Sequence, residues 1–250
     1  MTKGRFKKVP HIGIVAGTAD GAALCYRTLC HEAERLMGRH AHPEMTLHAL
    51  PLDAYLAHID AGDWASVAAL ISRSASLLAQ AGAELIICPN NTLHRAFDLV
   101  ATTVPWLHIA SAVEAEATRL KFRRVGLLGT QTVMQGAVYQ PILEPRGIDI
   151  LLPQPPERVR LDRIIRAELI RGAYTLQSRA FVLDIISTMA AQGAEAVILG
   201  CTELPLLLQK EEPVLPLLDS TRILAIAALQ QVIPSAWPDD VAAAVLFTSN

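Results

Sequence analysis

The chain has 250 residues, 52% of them hydrophobic and 18% charged, with a formal net charge of −2 at pH 7. That balance supplies material for a large core and excludes the basic footprint of a nucleic-acid binder; no run of about 18 apolar residues is present, so no membrane span is expected. Four cysteines, Cys25, Cys30, Cys88 and Cys201, are too few and too scattered for a disulfide framework, and a reducing, cytoplasmic setting is expected. The basic cluster Lys3, Arg5, Lys7 and Lys8 reads as a solvated tail, without the apolar core of a signal peptide.

Taken in chain order, short apolar runs alternate with longer amphipathic stretches. His11–Ala16 reads as a buried strand, Asp20–Met37 as a helix, Met45–Leu50 as a second strand, Trp64–Gln80 as a helix and Leu85–Cys88 as a third strand. Strands follow at Arg124–Leu128 and Ile148–Leu152, and helices over Arg160–Arg171 and Gln177–Gln192. A strand at Ala196–Leu199, a short one at Val214–Leu217 and a helix over Ser220–Val232 complete the pattern. Pro153-Gln-Pro-Pro156 reads as a rigid turn between strand and helix. Apolar strands without polar alternation, separated by helices, predict an α/β fold with mainly parallel sheets covered on both faces.

The chain also repeats itself. Gly82-Ala83-Glu84 opens a segment running through an apolar strand to Cys88-Pro89-Asn90-Asn91-Thr92, and Gly193-Ala194-Glu195 opens another ending at Leu199-Gly200-Cys201-Thr202-Glu203. The offset, from 82 to 193, is 111 residues. Ile12-Gly13-Ile14-Val15-Ala16-Gly17-Thr18 likewise resembles Val125-Gly126-Leu127-Leu128-Gly129-Thr130, with glycine offsets of 113 and 112. Two motifs recurring in the same order at nearly one period predict two pseudo-symmetric α/β/α subdomains. The first spans 1–112, with residues 222–250 packing back on it, and the second spans 113–221.

In open α/β sheets, ligands bind beyond the carboxyl ends of the strands. Four turns fall there, Gly17-Thr18, Asn90-Asn91-Thr92, Gly129-Thr130 and Cys201-Thr202. If the halves face each other, these turns line one cleft whose hydroxyls, amides and backbone N–H groups suit a small carboxylate. Neither half carries a glycine-rich nucleotide-binding loop. Cys201 ends a strand at an expected helix N-terminus, where free N–H groups and the helix dipole are expected to lower a thiol pKa. Cys25, Cys30 and Cys88 read as small buried hydrophobes. His40, His42, His48 and His58 lack metal-ligand spacing and read as surface residues, so no metal site is expected.

Gly200-Cys201-Thr202-Glu203-Leu204 resembles the second-cysteine signature of the aspartate/glutamate racemase superfamily. Asn91-Thr92-Leu93-His94 is similar to the Asn-Thr-x-His that follows that family's first catalytic residue. The similarity runs from Ile12-Gly13-Ile14 through Leu128-Gly129-Thr130, Glu168-Leu169-x-x-Gly172 and Pro216-Leu217-Leu218-Asp219-Ser220-Thr221, nearly the whole chain. The resemblance implies a cleft between the two halves, no metal, no pyridoxal phosphate or other cofactor, a homodimer, and an amino-acid substrate, aspartate or glutamate first. It also implies one acid/base residue on each side of the substrate Cα. By that resemblance Cys201 is the acid/base thiol, Thr18, Asn91, Thr92, Thr130, Thr132 and Thr202 bind substrate, and Asn90 shapes the opposite wall.

The pattern is departed from at Asn90, which stands where the family carries its first cysteine; a neutral amide cannot carry a proton as a thiol does. Some relatives have Thr there. Others, resembling arylmalonate decarboxylase, keep only the second cysteine and protonate a carbanion on one face. The first turn is Ala16-Gly17-Thr18-Ala19-Asp20-Gly21 in place of Gly-Gly-Met-Gly, with Asp20 expected as the N-cap of the following helix. Val133 replaces a family threonine, with Thr132 one position short, which weakens the expected grip on a distal carboxylate. His94 reads either as an alternative acid/base on the Asn90 side or as a structural histidine. Glu168 reads as a cleft neighbour, Asp219 as a helix cap, and Glu203 either as orienting Cys201 or as a helix-start carboxylate. A one-thiol lyase or decarboxylase, and a catalytically dead carboxylate-binding protein, stand as the alternatives to a racemase.

Overall fold

The computed structural model describes residues 9–209 and 212–234; the basic cluster before Val9 and the stretch 235–250 assigned to the first half lie outside the described residues. The first sheet is assembled from β1 (His11–Ala16), α1 (Ala19–Met37), β2 (Glu44–Ala49), α2 (Leu52–Ala61), α3 (Trp64–Gln80), β3 (Leu85–Ile87), β4 (Trp106–Leu107) and α4 (Ile109–Arg119). The second follows with β5 (Arg124–Gly129), α5 (Gln140–Leu143), β6 (Asp149–Leu151), α6 (Pro155–Ala167), α7 (Leu176–Ala191), β7 (Ala196–Gly200), α8 (Leu204–Leu208), β8 (Leu217–Asp219) and α9 (Ser220–Val232). Every described strand pair is parallel, and the strand orders β2-β1-β3-β4 and β6-β5-β7-β8 are the same pattern.

The internal repeat therefore reports real structural equivalence. Gly13 pairs with Ile86 in the first sheet, and Gly126 pairs with Val197 in the second, so the repeated motifs meet in the same register. Both glycines are needed for the same reason. A Cβ on Gly13 would lie 3.0 Å from the Cβ of Leu78 in α3, and one on Gly126 would lie 2.5 Å from Met189 Sδ in α7. Each glycine lets the helix preceding the next strand press directly on the sheet.

The strands bury apolar residues on both faces, as parallel sheets require. On one face of the first sheet, Val15 and Ile86 pack with Tyr55, Ile71 and Leu78. On the other, Ile12, Ile14, Leu85 and Ile87 join α1, α4, α9 and the whole second sheet in one continuous core. Helix α9 packs on α1 and α4, and most of its residues are buried, which makes it a central helix rather than an amphipathic surface one. Asp219 caps it, accepting from the Thr221 and Arg222 N–H groups at 3.0 and 3.2 Å, as the sequence predicts.

Three expectations shift. The strand expected at Val214–Leu217 lies at Leu217–Asp219, because Pro213 and Pro216 have no N–H to give a ladder; the Pro216 carbonyl accepts the Val197 N–H at 2.9 Å and pairing starts there. Pro155 and Pro156 are not a turn but the first turn of α6, where a missing N–H costs nothing, and Gln154 with Glu157 forms a capping box. The helix expected after Cys201 is the short α8; helices α2, α4 and α5 and strand β4 were not expected, and α4 runs through residues 112 and 113, where the sequence divides the halves. Among the described residues, no helix is long and apolar enough to cross a membrane.

Leu224 is fully buried in α9 within the continuous core. Leu224→Ala should cost about 2–5 kcal/mol of stability by leaving a cavity, read as a lowered urea midpoint with an unchanged m-value.

Candidate active site

The turns after β1, β3, β5 and β7 meet at the carboxyl edges of the two sheets and enclose a cleft of about 560 Å³ including its mouth. Thr18, Asn90, Asn91, Thr92, Thr130, Cys201, Thr202 and Glu203 line its polar part; Leu52, Leu56, Ile59, Ile165, Ile170 and Arg166 line the rest. Eight residues the sequence singled out, all but Thr132, His94 and Glu168, thus share one cavity.

Two hydroxyl pairs join the turns across the cleft: Thr18 Oγ1 lies 3.3 Å from Thr202 Oγ1, and Thr92 Oγ1 lies 3.1 Å from Thr130 Oγ1. Glycines allow this approach. A Cβ on Gly21 would fall 2.5 Å from Thr202 Oγ1, and one on Gly17 would fall 2.3 Å from Asn90 Nδ2. The Asn90 amide accordingly lies flat on Gly17, and its Oδ1 accepts the Leu93 N–H at 3.2 Å, steadying the 3₁₀ turn Thr92–Leu99. Asn91 is held more firmly. Its Nδ2 donates to Ser220 Oγ at 3.0 Å, its Oδ1 accepts from Tyr139 at 2.6 Å, and Ser220 Oγ donates to the Leu199 carbonyl at 2.7 Å.

Cys201 is 6% exposed, and its thiol donates to Glu203 Oε2 at 3.1 Å. The same carboxylate oxygen accepts from Thr202 Oγ1 at 2.9 Å, while Oε1 of this buried residue has no partner. The expected lowering of the thiol pKa does not occur. Burial pushes it well above the ordinary range and the Glu203 charge adds to that, outweighing the Glu203 and Leu204 backbone N–H groups. Helix α8 spans only five residues, so little dipole is available to reverse the balance.

The remaining candidates are settled by their partners. His94 is buried away from the cleft, its Nε2 2.9 Å from the Cys88 carbonyl and its Nδ1 accepting the Ile109 N–H at 3.4 Å. Burial holds its pKa well below the usual value, and both ring nitrogens face backbone groups, the geometry of a structural histidine. Thr132 precedes the irregular helical turn Val133–Ala137 and does not line the cleft. Glu168 is not a cleft neighbour; it accepts from Ser178 Oγ at 2.5 Å and Thr175 Oγ1 at 3.3 Å, closing the connection into α7. Asp20 is not the N-cap of α1, because Thr18 accepts the Gly21 N–H at 3.3 Å in that role. Asp20 instead accepts from Tyr174 at 3.0 Å, linking α1 to the loop before α7. Cys25 and Cys88 are fully buried, and burial pushes the Cys88 thiol up to about 12.

Sequence reasoning missed Tyr139, Tyr174, Arg166 and the aliphatic mouth. Arg166 reaches Asp60 Oδ1 at 3.0 Å on the opposite side of the cleft and Asp162 Oδ2 at 3.2 Å on its own helix. None of these carries a local motif. Ser220 had one signal, its place beside the capping Asp219 in the segment Pro216–Thr221.

A pair of like-ordered parallel sheets with a buried thiol in the cleft between them defines a racemase-type architecture, and the comparisons agree. Residues 12–228 match the model of the Asp/Glu/Hydantoin racemase family, and the chain belongs to that family. It is 27% identical over 150 residues to the broad specificity amino-acid racemase RacX of Bacillus subtilis, a match spanning 59% of this chain but only 64% of that relative's length. In structure it is similar to a candidate Asp/Glu racemase from Yersinia pestis, at 30% identity and a TM-score of 0.81, covering 90% of this chain and 99% of that one. An aspartate racemase homologue from Pyrococcus horikoshii gives 30% identity and a TM-score of 0.74, covering 90% and 98%.

Removing the Glu203 charge should release the thiol. Because the carboxylate disfavours the thiolate, Glu203→Gln should lower the Cys201 pKa and speed iodoacetamide modification at any fixed pH between about 7 and 10. Mass spectrometry of the Cys201 peptide reads the rate; an unchanged rate would mean that burial alone sets the thiol, and a slower one that Glu203 helps to take its proton.

Proposed function

We propose that the protein is a cofactor-independent amino-acid racemase in which Cys201 is the acid/base thiol on one face of the substrate Cα, taking the α-proton when the reaction runs in one direction and giving a proton when it runs in the other. The observation that carries the reading is the buried Cys201 thiol donating to the Glu203 carboxylate at 3.1 Å inside the cleft. In the resting arrangement Glu203 is the acceptor for the thiol proton. Passing that proton to Glu203 leaves a thiolate, and burial makes this thiolate a strong base for a Cα–H. The Thr202 hydroxyl is committed to Glu203, and the Thr18 oxygen to the Gly21 N–H, so Thr18 gives its own proton to Thr202. The Thr92–Thr130 pair keeps one hydroxyl proton free, since a pair needs only one donor. That free donor is suited to the substrate α-carboxylate. The similarity to RacX, a broad specificity amino-acid racemase, and the family name itself support amino acids as substrates.

A second reading is favoured by Asn90. Its amide does not serve as a proton carrier, and His94 is held by backbone groups, so among the described residues the wall facing Cys201 has no ready second acid/base. The raised thiol pKa also keeps Cys201 protonated near neutral pH, which suits an acid. In a one-thiol lyase or decarboxylase, Cys201 would deliver its proton to a planar carbanion from one face only.

The test is proton NMR of the chain in D2O with L- and D-amino acids, following loss of the α-proton and chiral inversion. Cys201→Ala should lower exchange by roughly 10²–10⁴-fold. Asn90→Cys should raise inversion relative to exchange, because it supplies a second thiol. Exchange that survives in Cys201→Ala would remove the thiol from the mechanism. Absence of exchange in the wild-type chain, with turnover of a malonate-type acid, would select the second reading.

A further inference from the structure

The cleft divides by chemistry. Its floor is polar and hydrogen-bonded, whereas its mouth is aliphatic. Leu52, Leu56 and Ile59 lie at i, i+4 and i+7 on α2, which puts them on one helical face turned into the cavity. Ile165 of α6 and Ile170 in the turn beyond it line the same cavity from the second sheet's side. Leu52, Leu56 and Ile170 are only half-buried, so apolar surface remains for a ligand to cover. A neighbouring groove of about 980 Å³ shares Thr18, Leu52 and Ile170 with the cleft and extends it over Leu47 and Tyr26, each 43% exposed.

Charge points the same way. Arg166 is the cation among the cleft-lining residues, and it already faces the carboxylates of Asp60 and Asp162. Those three side chains together carry a net −1, and Glu203 adds a buried carboxylate at the floor. A distal substrate carboxylate would enter a region of net negative charge, where it meets no surplus cation and like charges repel to the extent that solvent leaves them unscreened. The floor, by contrast, suits the common end of any α-amino acid: the unpartnered Glu203 Oε1 is an acceptor for an ammonium, and the Thr92–Thr130 pair offers a hydroxyl donor to the carboxylate.

We infer, on the basis of the racemase reading, that the substrate is an α-amino acid with an aliphatic side chain, which packs against Leu52, Leu56 and Ile170, and not aspartate or glutamate. An apolar pocket separates substrates by roughly tenfold or more for each methylene it covers, so chain length should matter as well as polarity.

The experiment is α-proton exchange in D2O by the wild-type chain with leucine, methionine and alanine against aspartate and glutamate. The expected result is kcat/KM for leucine and methionine at least tenfold above that for alanine, aspartate and glutamate. Leu56→Arg places a cation at a half-exposed position; it should cut leucine exchange tenfold or more and raise glutamate exchange, with circular dichroism checking the fold. Aspartate or glutamate exchanging as fast as leucine would overturn this inference while leaving the racemase reading intact. No exchange with any amino acid would overturn both.

Discussion

The two threonine pairs that cross the cleft, Thr18 with Thr202 and Thr92 with Thr130, are the constraint around which the site is built. A hydroxyl–hydroxyl hydrogen bond has a reach near 3 Å, so the strand ends of both sheets must stop at the same level and face each other closely. Small residues make that possible. Gly17 and Gly21 admit the Asn90 and Thr202 side chains where a Cβ would collide, and Gly129 and Gly200 let β5 and β7 lie side by side, with a Cβ on Gly129 only 2.9 Å from the Gly200 carbonyl. Each sheet contributes one hydroxyl to each pair. Under the repeat Thr18 matches Thr130, while Thr202 falls at the place of Asn91 and Thr92 at that of Glu203, so the cleft keeps the pseudo-symmetry of the fold in its turns but not in its hydrogen bonds.

That symmetry is broken where the chemistry is concentrated. Asn90 and Cys201 occupy matching places in the repeat, yet their surroundings differ. Asn90 is folded into its own turn and rests on Gly17, while Cys201 faces a buried carboxylate. Cys201, and Thr18 through Thr202, donate toward a single acceptor oxygen, Glu203 Oε2. A buried carboxylate with two donors on one oxygen and none on the other is an unusual arrangement, because unsatisfied polar atoms in a low-dielectric interior are costly. It leaves one carboxylate oxygen of the Cys201 side open to a further donor. The Asn91 side is saturated instead, with Tyr139 and Ser220 occupying its amide.

The mouth is held by long-range polar contacts of another kind. Arg166 with Asp60 and Tyr174 with Asp20 each join an element of the first sheet's layers to one of the second's. Both are partly exposed, so each contributes little to stability by itself. They tie α2 to α6 and α1 to the loop before α7 beside the aliphatic entrance.

The sequence alone determined the fold class, the parallel sheets, the repeat and the four turns of the cleft, because each is written in local signals. Buried parallel strands read as unbroken apolar runs, and Gly13 and Gly126 mark one register in both halves. Cys201 was legible for the same reason, as a polar turn at a strand end within a recognisable motif. Local pattern failed where neighbours far along the chain decide the outcome. The N-cap of α1 went to Thr18 because Asp20 has Tyr174, 154 residues away, as a partner. His94 was withdrawn from the site by the backbone of Cys88 and Ile109. The Cys201 thiol was pushed up, not down, because burial and the Glu203 charge exceed what two backbone N–H groups supply. Propensity and periodicity report the order of elements; desolvation, charge proximity and the filling of a cleft depend on which residues the packed sheets bring together, and only the tertiary structure decided those.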